Sequence, residues 1–168
     1  LSDTAKTLYT IYRFFTVLET ILLMFGGMSL YDALINSFGS VGTGGLSNYS
    51  DSVGHFDSTY IRMVITGFMF LCGVNFNLYY HSIKQGIKAF TRDSEFKLYL
   101  LIFVFSSVFI FICLLASGQY DSVKLAFSDS VFQVSSILTT TGFITADYET
   151  WPIVCQMSLL LLMFIGGC

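Results

Sequence analysis

Two short polar stretches, Ser40-Val41-Gly42-Thr43-Gly44-Gly45-Leu46-Ser47 and Thr139-Thr140-Thr141-Gly142-Phe143-Ile144-Thr145, each follow a short apolar run and precede a hydrophobic segment. Threonine, serine and glycine in such surroundings suit oxygen coordination of a cation. Potassium leaves water only if several oxygens replace its shell, and backbone carbonyls on a short loop do this without introducing a full charge. Glycine accepts backbone angles closed to other residues and so lets the loop turn its carbonyls inward. The expected ligands are the carbonyls of Thr43, Gly44, Gly45 and Leu46, and of Thr140, Thr141, Gly142 and Phe143. A cation such as potassium is then a transported ligand, and no cofactor is needed. Passage of a cation requires no covalent chemistry, so no enzymatic activity is expected.

Loops of this kind need membrane helices to hold them. Of 168 residues, 54% are hydrophobic and only 11% charged, whereas a soluble domain carries about a quarter charged residues. The apolar residues come in blocks, several approaching the roughly 20 needed to cross a bilayer. The fold class is therefore an all-α, multi-pass membrane protein. The net charge of -3 says little about nucleic acid, because the charges sit in membrane-flanking segments; no basic stripe exists and no nucleic-acid partner is expected. Cys72, Cys113, Cys155 and Cys168 fall inside apolar runs without metal-ligand spacing and read as small buried hydrophobes.

The first span is expected over about residues 8–28. Arg13 near one end can reach an interface, but Glu19 lies near the middle and must face protein or water. It is either an ion or proton site, or an acid hydrogen-bonded to a neighbouring helix or pointing into a vestibule. Residues 29–40 follow as a pore helix, with Ser29 and Asp32 in capping-box spacing. This helix is too short to span, so residues 41–47 return as a filter-like loop. Irregular backbone at membrane depth is tolerated where it lines a water-filled path or is buried in protein. A second span is expected over 59–80, then a linker, 81–95, containing Lys84, Lys88 and Arg92. The positive-inside rule makes that linker cytoplasmic. The opposite side, with Asp51, Asp57, Asp121, Asp147 and Glu149 against Lys124, is the outer face. The second unit, 96–168, reads as a span over about 96–117, a pore helix over 123–138, a filter over 139–145 and a span from about 152.

Setting Gly45 against Gly142 aligns Asp32 with Asp129, Asn36 with Gln133 and Thr43 with Thr140 at one offset. Met69-Phe70-Leu71-Cys72-Gly73 matches Met163-Phe164-Ile165-Gly166-Gly167 at a slightly shorter one. The unit of span, pore helix, loop and span thus occurs twice, in parallel orientation, unlike the inverted repeats of many secondary transporters. Glycine-rich stretches also serve helix packing, but a second copy in the same setting favours a permeation loop. Phosphate binding at Gly42 to Gly45 is disfavoured, because no Gly-Lys-Ser/Thr ending follows. Asp129, like Asp32, is expected near the positive end of its helix, as a helix stabiliser or a cation attractor. Asn75 and Asn77 either line a vestibule or bond a neighbouring helix, and His81 reads as interfacial.

Val41-Gly42-Thr43-Gly44-Gly45-Leu46-Ser47 and Thr139-Thr140-Thr141-Gly142-Phe143 resemble the second and third pore loops of the TrkH potassium-uptake proteins of the Trk/Ktr/HKT superfamily. Leu22-Leu23-Met24-Phe25-Gly26-Gly27-Met28-Ser29-Leu30 and Phe164-Ile165-Gly166-Gly167-Cys168 fit the same family. The resemblance implies four such repeats around one pore, two of them in this chain, with filter glycines at Gly45 and Gly142. It further implies a homodimer in the bacterial inner membrane, in contact with lipid and with a cytosolic nucleotide-binding subunit of TrkA type. It makes Gly166 and Gly167 the opening of an intramembrane gate. The first and fourth repeats, including an arginine that the family places below the filter, are then expected elsewhere in a longer parent chain. The chain opens on Leu1 without a signal-peptide pattern and stops inside an expected span. Two repeats cannot close a four-sided pore, so this piece alone is not expected to conduct. The alternatives are a tetrameric-type potassium channel or a sodium-conducting relative, against which the loops lack Gly-Tyr-Gly and differ from each other, and a non-conducting membrane scaffold.

Overall fold

A computed structural model describes residues 2–85, 90 and 93–166, and its regular elements there are all helical. Helix α1, Ser2–Phe25, carries the first apolar block and stops at Gly26-Gly27, where Gly27 takes φ +93. That left-handed turn is open to glycine at little cost. Helix α2, Leu30–Val41, starts at Ser29, whose hydroxyl accepts the Asp32 N–H at 3.1 Å and donates to the Asp32 carboxylate at 2.7 Å. The expected Ser-x-x-Asp cap is present in modified form: the acid accepts a hydrogen bond from the serine hydroxyl instead of reaching back to a backbone N–H.

Helix α3, Thr59–Cys72, is followed after a short break by α4, Phe76–Gln85. The reading of 59–80 as one span meets an interruption here. Gly73 ends α3 with its N–H on the Met69 carbonyl at 2.9 Å, and Val74 follows with its N–H on Leu71 at 3.3 Å. A Cβ on Gly73 would lie 2.5 Å from Thr139 Cγ2 and 2.6 Å from Tyr99 Oη. The break therefore brings bare backbone against the next span and the entry to the second polar loop.

Helix α5, Ser94–Ser117, is capped by Asp93, which accepts the Phe96 N–H at 2.7 Å, and closes at Gly118 with φ +67. Helix α6, Val123–Leu138, and helix α7, Ile153–Gly166, complete the second unit. Ala5–Phe25 of α1 and all of α5 are long and apolar enough to cross a membrane, whereas α3 and α7 are apolar but shorter. Phe14, Val17 and Phe25 on α1 and Leu101, Phe105 and Ile112 on α5 stand exposed on outward faces. Apolar surface so displayed is suited to lipid or to further protein.

In the first unit α2 packs against α1 and α3, and in the second α6 packs against α5 and α7; α3 also crosses over onto α6. One core gathers Leu23, Met28, Ala33, Ile61, Ile65 and Met69 and receives Phe132 and Phe143 from the second unit. The other holds Ile110, Leu114, Val134, Trp151, Cys155 and Leu159. Lys88 and Arg92 of the expected cytoplasmic linker, and Gly167 and Cys168, lie outside the described residues.

Candidate functional site: two re-entrant loops

Each short helix ends in the same way. After α2, Gly42 has φ -83 and its N–H on Phe38 O at 3.0 Å, and Thr43 has φ +48 and its N–H on Ser40 O at 3.2 Å. The N–H groups of Gly44 and Gly45 then converge on Gly39 O at 2.8 and 3.2 Å, with Gly45 at φ +60. After α6, Thr139 has φ -88 and bonds Ser135 O at 3.0 Å, and Thr140 has φ +57 and bonds Ile137 O at 3.1 Å. Thr141 and Gly142 converge on Ser136 O at 2.8 and 3.2 Å, with Gly142 at φ +84. Donors, acceptors and the signs of φ all repeat at the offset that aligns Gly45 with Gly142.

Planarity of the peptide group turns this pattern into chemistry. In a trans peptide the C=O of one residue points opposite to the N–H of the next. Since the N–H groups of Gly44, Gly45, Thr141 and Gly142 all face their helix ends, the carbonyls of Thr43, Gly44, Thr140 and Thr141 face away from them. The carbonyl of Phe143 instead accepts Ser136 Oγ at 2.6 Å. That of Leu46 lies against α2, 3.0 Å from where a Cβ on Gly39 would stand. Thr43 and Thr140 hold a left-handed conformation that costs a non-glycine residue roughly 1–2 kcal/mol, so the surrounding hydrogen bonds must maintain it.

The two loops touch. A Cβ on Gly45 would collide with the Thr141 carbonyl, which leaves glycine as the residue that fits. Phe143 is fully buried in the first unit's core, its ring tip 2.6 Å from a Cβ on Gly39.

At the far ends of the loops a second repeat of contacts appears. Asn48 Nδ2 donates to Asp32 Oδ1 at 3.1 Å, and at the equivalent place Thr145 Oγ1 donates to Asp129 Oδ1 at 3.1 Å. The first unit also braces the second loop directly: Gly54 N–H donates to Ile144 O at 3.1 Å, and Ile144 N–H to Ser52 Oγ at 3.3 Å. Asp32 is solvent-accessible, and the Ser29 hydroxyl, helped by Asn48, Tyr49 and His55, holds its carboxyl below the usual carboxylate range. A depressed pKa contributes stability above the ordinary value, about 4, that is lost as pH falls through the lowered one. Ser29→Ala is therefore expected to lower the Tm of the full-length protein at neutral pH, with the difference from the parent narrowing as pH falls through the lowered value.

Asp129 differs from the expectation of a helix-end carboxylate. It lies more than a turn inside α6, is buried, and pairs with Arg62 at 3.3 Å while accepting the Tyr120 hydroxyl at 3.1 Å. Burial pushes the Tyr120 phenol up and so keeps it a donor. Arg62 was legible only as an arginine interrupting an apolar run, a residue that demands a partner at membrane depth.

Glu19 takes the second of its two expected forms, an acid bonded to a neighbouring helix. It is fully buried, with Ser40 Oγ 2.6 Å from both carboxylate oxygens, and Thr20 donates to Ser37 Oγ at 3.0 Å one residue along. These contacts tie α1 to α2 just before the first loop. Ser40→Ala is expected to cost about 1–3 kcal/mol, the penalty for a buried polar group losing its partner, measurable as a lower Tm of the detergent-solubilised full-length protein. At the other end of the chain, a Cβ on Gly166 would collide with the Leu138 carbonyl, so α7 ends tightly against α6 below the second loop. Gly167, the other expected gate residue, is outside the described residues. Among those described, no group of three or more His, Cys, Asp or Glu is placed to hold a metal ion.

Apolar helices flanking a short helix that ends in a carbonyl-bearing loop, in two copies, define an all-α, membrane-helix-rich protein of repeated architecture. Residues 1–168 match the TrkH family, described as a cation transport protein. The chain belongs to that family. It is 36% identical over 169 residues to the Trk system potassium uptake protein TrkH of Salmonella typhimurium, covering 100% of this chain and 35% of that protein. It is 34% identical over 169 residues to TrkG of Escherichia coli, again over 100% of this chain and 35% of the relative. The crystal structure of the potassium transporter TrkH from Vibrio parahaemolyticus superposes with a TM-score of 0.94 at 34% identity, over 99% of this chain and 36% of that one. The chain thus spans about a third of the length of the relatives it matches.

Proposed function

We propose that this chain supplies two of the filter segments of a pore for potassium uptake across the bacterial inner membrane. The observation that carries the reading is the duplicated loop geometry, in which equivalent N–H groups face the helix ends and equivalent carbonyls face away. The names of the relatives, potassium uptake proteins and a potassium transporter, support the choice of ion. In this reading the carbonyls of Thr43, Gly44 and Gly45 and of Thr140, Thr141 and Gly142 replace the ion's water. Leu46 and Phe143 stand at the outer edge, where the Phe143 carbonyl also accepts the Ser136 hydroxyl and the Leu46 carbonyl lies against Gly39 of α2. The C-terminal ends of α2 and α6, each carrying about half a negative charge, add a favourable field. Residues 1–80 and 96–168 are the second and third of four pore repeats, with 81–95 a cytoplasmic linker and the loops on the outer side. Gly166 and Gly167 open the gate below. Further repeats of the same chain, lipid, a second copy and a cytosolic nucleotide-binding subunit of TrkA type complete the assembly.

The test is rubidium uptake by a full-length protein containing residues 1–168, in cells lacking their own potassium uptake, with Gly45→Ser and Gly142→Ser at matched expression. Uptake that falls, or loses selectivity against sodium, in both variants supports two segments of one filter. Parental uptake and selectivity in both variants would overturn the pore-loop reading in favour of a scaffold.

A further inference from the structure

Arg62 sits in the apolar helix α3, yet its side chain is only 11% exposed and that of its partner Asp129 only 6%. Two buried charges are tolerated when paired and hydrogen-bonded, and well-packed apolar residues in their place are often as stable or more so. Stability alone is therefore a weak reason for the pair. Its position supplies a better one. The Asp129 carboxylate holds Arg62 Nη1 at 3.3 Å and Thr145 Oγ1 at 3.1 Å on one oxygen, and the Tyr120 hydroxyl at 3.1 Å on the other. One acid thus joins the span of the first unit, the turn before α6 and the exit of the second loop. Asp32 holds its own loop through Asn48 in the equivalent way, but is only partly buried and forms no ion pair among the described residues.

We propose that Arg62 is a positioning residue for the second filter segment. By fixing the Asp129 carboxylate it fixes the Thr145 hydroxyl and the outer end of residues 142–145, and it couples that end to the preceding unit so that the two segments keep one spacing. It also balances a negative charge one hydrogen bond away from Thr145, just beyond the carbonyls proposed to bind the ion. This rests on the reading of residues 139–145 as filter.

Removing either charge has opposite electrostatic consequences. Arg62→Gln leaves an unpaired carboxylate beside the exit, which attracts cations of either kind; Asp129→Asn leaves an unpaired guanidinium, which repels them. Arg62→Gln/Asp129→Asn removes both charges and keeps an amide oxygen for Thr145, with the amide NH2 facing the Tyr120 hydroxyl, which can accept from it. Thr145→Val removes only the loop's hydrogen bond and disturbs no charge.

In the full-length protein, at matched membrane abundance, each single charge variant is expected to lower the rubidium-to-sodium uptake ratio by about tenfold. The KM for rubidium should fall in Arg62→Gln and rise in Asp129→Asn, and the double variant should recover most of the ratio. Thr145→Val should lose selectivity without a large change in KM. A general loss of folding would not shift KM in opposite directions. Gly142→Ser runs alongside. If it destroys selectivity while Arg62→Gln keeps the parental ratio and KM, the role of Arg62 is overturned and the filter stands. If Gly142→Ser itself is silent, the filter reading beneath it fails. Should Arg62→Gln not reach the membrane, Thr145→Val decides, and a parental ratio there overturns the proposal.

Discussion

Gly45→Ala in the full-length protein is expected to lower the initial rate of rubidium uptake by about a hundredfold, the largest effect of any single methyl added to the two loops. Two costs combine. At φ +60 an alanine is strained by roughly 1–2 kcal/mol. Its Cβ also has to displace the Thr141 carbonyl, one of the proposed ligands, and overpacking of this kind typically adds about 1–3 kcal/mol. Gly142→Ala carries the first cost at φ +84, while nothing in this chain stands within 4 Å of its Cβ. Its effect is therefore expected to be smaller, about tenfold. Uptake measured for both variants at equal expression gives the ratio, and equal losses would count against the loop-to-loop contact at Gly45 and Thr141.

Phe143→Ala carries the second large effect. The ring is fully buried in the first unit's core, and truncating such a phenylalanine typically costs about 3–5 kcal/mol. Because Phe143 belongs to the second loop, the loss falls on the joint between units as well as on the core. The Tm of the purified full-length protein should drop, and uptake should fall with it. The converse change, Gly39→Ala, pushes a methyl to 2.6 Å from the ring tip and 3.0 Å from the Leu46 carbonyl. Phe143→Leu removes the ring tip, so Gly39→Ala/Phe143→Leu should be more stable than Gly39→Ala alone. Strict additivity of the two single changes would show that the pair does not interlock, since contacting residues couple and distant ones add.

These two sites differ in how far they could be foreseen. The glycines at Gly45 and Gly142 were legible as places where the backbone leaves the ordinary angles, and both have positive φ. The left-handed conformations of Thr43 and Thr140 were not, because a threonine there is held by hydrogen bonds to the preceding helix end and not by its own preference. The seat of Phe143 against Gly39 lies between units, and no spacing along the chain encodes it.

What the sequence determined by itself was local. Blocks of apolar residues made the chain a membrane protein, Ser29 and Asp32 started α2, and one offset aligned Asp32, Asn36, Thr43 and Gly45 with their counterparts. Each of these follows from short-range preferences or from hydrophobicity summed over a segment. Tertiary structure alone decided that Glu19 bonds Ser40, that Arg62 pairs with Asp129, and that the expected span over 59–80 breaks at Gly73 where Thr139 and Tyr99 approach. A buried charge or a bare backbone is costly until a partner reaches it, and which distant residue supplies that partner is set by how the helices pack.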